Sequence, residues 1–128
     1  MAIAWFTMAQ DTAKVKVAFS SDAGATFSEP IQIDEGNPLG RVDLVFVEGG
    51  VVVSWLENKE KWAAIKLQKV NRQGKIGANK LLTKTSPARA SGFPILEKLD
   101  EQLLMAWTEI IDEEEEITTV RTALVDVW

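Results

Sequence analysis

The chain has 128 residues, enough for one domain of ordinary size, and 46% of them are apolar, which argues against disorder. Its net charge is −5 and its four arginines do not cluster, so the basic stripe of a nucleic-acid binder is missing. Cysteine, histidine and tyrosine are absent. That removes disulfides, thiolate metal sites and the commonest general base, so any catalysis would rest on Asp, Glu, Lys, Ser or Thr.

The N-terminal "MAIAWFT" lacks the charged start of a signal peptide and already reads as a strand over 2–7. In 13–20, Val15, Val17 and Phe19 alternate with Lys14, Lys16 and Ala18, the period of a half-buried strand. Further strands are predicted at 29–34, 42–48, 50–57, 62–70, 79–84, 93–98, 102–109 and 117–126, punctuated by turns at "EGG", "NRQG" and "LDEQ". The run "VVVSWL" is apolar on both faces, as a strand covered on both sides should be. Trp62, Ile65 and Lys69 also fit helical spacing, but the flanks of that segment favour a strand. No apolar run approaches the ~18 residues of a membrane span.

Three tryptophans mark an internal repeat: "AIAWFT" around Trp5, "VVSWLE" around Trp55 and "LMAWTE" around Trp107, spaced by 50 and 52 residues. Four short strands per unit at this period is the pattern of propeller blades; a β-sandwich competes but does not explain the recurring unit. The expected fold is therefore all-β: a β-propeller segment of about two and a half to three four-stranded antiparallel blades, part of a ring of about six. It forms a single partial domain over 1–128, with blade units near 1–38, 39–87 and 88–128. The three indoles sit among aliphatics and are expected in the packing between blades.

One turn is specified more heavily than a hairpin requires. It reads Ser20-Ser21-Asp22-Ala23-Gly24-Ala25-Thr26-Phe27. The Asp22 carboxylate can accept nearby backbone N–H groups, Gly24 can supply positive φ, and the hydroxyls of Ser20 and Thr26 can satisfy what remains. Phe27 can tuck its ring between sheets. The stretch resembles the Asp-box, or BNR repeat, of sialidase-like β-propellers, Ser/Thr-x-Asp-x-Gly-x-Thr-Trp/Phe. Ser20, Asp22, Gly24, Thr26 and Phe27 fill its positions. The resemblance implies a structural motif on the outer rim. It extends through "GRVDLVFVEGGVVVSWLE" and "ARASGFPILEKLDEQLLMAWTE", so that the chain looks like the C-terminal half of bacterial exo-α-sialidase-like proteins. For the full-length protein it implies a periplasmic or secreted location.

Sialidase-like catalysis needs arginines for the substrate carboxylate, a tyrosine nucleophile and an acid. With no tyrosine in the chain, we assign no catalytic residue, metal ligand or cofactor to it. Arg41 and Arg89 each lie just before or at the start of a predicted innermost strand, with Asp43 on the same strand face as Arg41. These three are the candidates for binding at the channel mouth. "DEEEE" at 112–116 reads as a solvated loop, and Arg72 and Arg121 as surface charge.

The expected function is a non-catalytic glycan- or protein-binding scaffold. The alternative is the back half of a glycoside hydrolase whose nucleophile lies in a missing N-terminal part. Expected partners are that ligand and the remaining blades, or a second chain completing the ring. Neither nucleic acid nor a membrane span is expected.

Overall fold

The computed structural model describes residues 1–88 and 92–126. They form ten strands in three antiparallel sheets. The first sheet contains β1 (Ala2–Thr7), β2 (Lys14–Phe19) and β3 (Ile31–Gln32), in that order. The second runs β4 (Pro38–Val47), β5 (Gly50–Lys59), β6 (Trp62–Asn71) and β7 (Gly74–Thr85). The third holds β8 (Gly92–Leu99), β9 (Gln102–Asp112) and β10 (Ile117–Asp126), again in chain order. A 3₁₀ turn at Ala9–Asp11 joins β1 to β2, and no described residue lies in an α-helix. No helix among them is long and apolar enough to cross a membrane.

Each predicted strand has its counterpart, and Trp62–Asn71 is extended rather than helical. The boundaries differ where side chains replace backbone partners. β3 is shorter than expected because the buried Asp34 carboxylate, not a main-chain carbonyl, accepts the Val15 N–H at 2.7 Å. β7 starts earlier than expected, through the glycine-rich "GKIG". Its pairing with β6 shifts between Leu67 and Lys69, where the buried Gln68 amide donates to the carbonyls of Lys69, Ile76 and Gly77 at 3.0–3.2 Å. β4 starts earlier too, because Pro38, Leu39 and Gly40 join it through bulges rather than ending it.

The sheets stack through two apolar layers. Val51, Val53, Trp55 and Val70 of the second sheet pack on Val15, Val17 and Phe19 of the first, with Ile33 beside them. On its other face, Val52, Leu56, Ala63, Ile65 and Leu67 meet Leu96, Leu103, Met105 and Trp107 of the third. The second sheet is thus covered on both faces, which accounts for the unbroken burial of Val51 to Glu57. The backbones of neighbouring sheets approach most closely at β1 against β4 and β4 against β8, all edge strands on the same side of the stack.

Both layers have one polarity. The tryptophan-bearing face of each sheet looks toward the preceding sheet. Trp55 is fully buried and Trp107 nearly so. Trp5, expected in the packing between blades, is only half-buried, because no other sheet covers its face of the first sheet.

A candidate binding cleft between the second and third sheets

Two glycines at matching places in the repeat set up this region. Gly40 has φ +89 and is followed by Arg41 at φ +55; 52 residues on, Gly92 has φ +84 and is followed by Phe93 at φ +53. Both pairs lie where strand register shifts, so each is a bulge on an edge strand. Positive φ at Arg41 and Phe93 is unfavourable for side chains of this size, and bulges of this kind re-aim side chains.

The glycines are required by close approach as well as by φ. A Cβ on Gly40 would lie 3.1 Å from Phe6, the residue after Trp5. One on Gly92 would lie 3.2 Å from Leu56, the residue after Trp55, and 3.4 Å from the Arg41 guanidinium. The same contact thus recurs at both sheet interfaces.

Arg41 therefore lies inside β4, rather than just ahead of a strand, and points across to the third sheet. Its guanidinium carbon stands 4.4 Å from the centroid of the Phe93 ring, a cation–π contact. Together with Val42, Asp43, Pro94 and Ile95 these residues line an open cleft of about 430 Å³. Asp43 is half-buried and both its oxygens are engaged: Oδ1 accepts the Leu44 N–H at 2.9 Å, and Oδ2 accepts the Leu96 N–H from β8 at 2.8 Å. It pins the third sheet to the second. Arg89, the third channel-mouth candidate, lies outside the described residues. The structure thus brings Arg41 and Asp43 together and adds Phe93, which sequence reasoning missed. The signal was available in the matched "LGR" and "SGF" at the repeat spacing.

The Ser20–Phe27 turn lies apart from this cleft, between β2 and β3. Its labour divides differently from the expectation. The Ser20 hydroxyl collects the Gly24 and Asp22 N–H groups at 2.9 and 3.3 Å and donates to Asp22 Oδ1 at 2.7 Å. Asp22 accepts both the Thr26 N–H and the Thr26 hydroxyl. The Thr26 hydroxyl foremost, then its N–H and the Ser20 hydroxyl, hold the Asp22 carboxyl at about 2, below its ordinary 3.8. Gly24 has φ +89. Phe27 does not enter the core: it keeps 43% of its surface exposed, and the edge of its ring, with the Met1 side chain, lies near Gly24. Arg72, from the β6–β7 turn, donates to Ser21 at 2.9 Å and ties the motif to the second sheet.

The remaining charges are placed simply. Arg121 pairs with Glu109 across β9 and β10 at 2.7 Å. In the acidic run, Asp112 Oδ1 accepts the Glu114 and Glu115 N–H groups at 3.0 and 3.1 Å and closes an exposed turn. Glu35 accepts from the Asn79 amide and sits near Lys66, and these contacts hold its carboxyl below the ordinary range. No family model, curated protein or solved structure matches this chain.

Proposed function

We propose that the chain is a segment of an Asp-box β-propeller related to sialidase-like proteins and acts as a non-catalytic binding module for acidic glycans. The stack of similar sheets with one polarity, converging along β1, β4 and β8, supports the propeller reading. So does the set of hydrogen bonds that Ser20, Asp22 and Thr26 make around Gly24.

The observation that carries the binding role is Arg41 laid over Phe93 at the rim of the cleft, both on bulged backbone. A guanidinium suits a sugar carboxylate, and the half-exposed phenyl ring offers a stacking surface for the pyranose. With no tyrosine in the chain, the residues in hand support binding rather than turnover.

Titration with sialic acid, followed by amide NMR, tests this. The Gly92 and Phe93 resonances are expected to shift, neutral hexose is expected to leave them in place, and Arg41→Ala is expected to weaken binding at least tenfold. No shift at millimolar sialic acid would overturn the reading. Hydrolysis of a fluorogenic sialoside by the chain would replace it with the hydrolase alternative.

A further inference from the structure

We propose that the outer face of the third sheet receives the outer face of the first sheet of a second copy, so that two chains stack head to tail. The inference is independent of the ligand. In both internal interfaces the tryptophan-bearing face of one sheet lies on the opposite face of the sheet before it. That step leaves two unmatched faces. One carries Trp5 with Ile3, which is 46% exposed. The other carries Leu104, Val120 and Leu124, exposed by 37, 66 and 56%. Repeating the internal step once more brings these two faces together.

Charge agrees with this direction. The residue paired across the strands with each tryptophan is a cation: Lys16 with Trp5, Lys66 with Trp55, Arg121 with Trp107. Lys66 reaches the preceding unit, where Glu35 lies 3.7 Å away. Lys16 has the same position on the open face of the first sheet, with Lys14 two residues along. The open face of the third sheet carries carboxylates, Glu97 beside Leu104 and Asp126 two residues beyond Leu124. A cationic, indole-bearing face thus meets an acidic, aliphatic one, and a contact between two different patches is heterologous.

Sedimentation of the 128-residue chain over rising concentration tests the proposal. The expected species has twice the 14.2 kDa monomer mass where the two contacts of a pair close on each other, and higher multiples of it where they stay open. Ile3→Lys spoils one face and Leu124→Lys the other, with Val120→Lys as the substitute if Leu124→Lys does not fold. Each single variant is expected to be monomeric with an unchanged circular dichroism spectrum. Their mixture is expected to associate, because each retains the face the other has lost. Lys16→Glu should weaken association at least tenfold, and adding Glu97→Lys should recover part of it. A wild-type chain that stays monomeric to millimolar concentration overturns the proposal. So does a single variant that associates like wild type, or a mixture that remains monomeric.

Discussion

Trp55 and Trp107 occupy equivalent places in successive sheets, and each is followed two residues later by a glutamate on the same face. Their surroundings differ. Glu57 is fully buried and accepts the Trp55 indole N–H at 3.3 Å and the Glu35 N–H, from the loop after β3, at 3.0 Å. Among the described residues its second oxygen has only the Lys59 ammonium, at 3.5 Å. Glu109 instead turns to Arg121 within its own sheet, and the buried Trp107 indole N–H has no hydrogen-bond partner among the described residues. The cause is legible one loop earlier. Counting 52 residues on from Glu35 arrives at Pro87, which has no N–H to offer. One copy of the Trp-x-Glu signature therefore stitches two sheets together, and the other serves a single sheet. A repeated sequence places equivalent atoms, but the neighbouring loop decides which bonds they make.

The strongest way to break this comparison is to remove the two glutamates in turn. Glu57→Ala strands the buried Trp55 indole N–H and the part-buried Glu35 N–H and is expected to cost about 3 kcal/mol in urea unfolding. Glu109→Ala loses only a partly exposed ion pair and is expected to cost less than about 1 kcal/mol. Equal losses would mean that the two signatures do the same job.

A finer contrast exchanges the indoles for phenyl rings. Trp55→Phe and Trp107→Phe shrink the packing similarly, but only the first deprives a buried carboxylate of a donor. Trp55→Phe should therefore cost about 1 kcal/mol more, read by the same unfolding curves. The reverse order would place the decisive contact elsewhere.

The smallest effect concerns a carboxylate held without burial. Asp22 titrates at about 2 in the fold and from a higher value when unfolded. Its contribution to stability is therefore complete above the unfolded value and is lost as pH falls through about 2. Glu35, also lowered, acts in the same direction. Thermal melts between pH 5 and pH 2 should fall less steeply for Asp22→Asn than for wild type, while the Asn variant should be the less stable at pH 7. Parallel curves for the two proteins would show that the turn's hydrogen bonds do not favour the charged form.

Much of the fold could be read from residue patterns, because strand alternation and turn residues are local signals. The alternation of Val15, Val17 and Phe19 and the two-faced apolar run at Val51–Leu56 are examples, and both led to the observed strands. What escaped was non-local. Gly40 and Gly92 look like strand breakers until Phe6 and Leu56 are seen to crowd them. Gln68 and Asp34 each substitute for a main-chain partner that the sheet lacks, which no local pattern announces. Of the candidate cleft, Arg41 was singled out from its position just before or at the start of a strand and Asp43 from its place on the same strand face, whereas Phe93 depends on a bulge that only the register shift reveals.

The double engagement of Asp43 has a mechanical corollary. Its carboxylate borders the cleft and also clasps the Leu96 N–H of the adjoining sheet. A cation drawn to that carboxylate would compete with the clasp, so occupancy of the cleft and the seating of the third sheet work against one another. A guest that prefers Arg41 and leaves Asp43 alone spares the joint. On the proposed reading, an anion held by Arg41 leaves the bond between Asp43 and the Leu96 N–H in place.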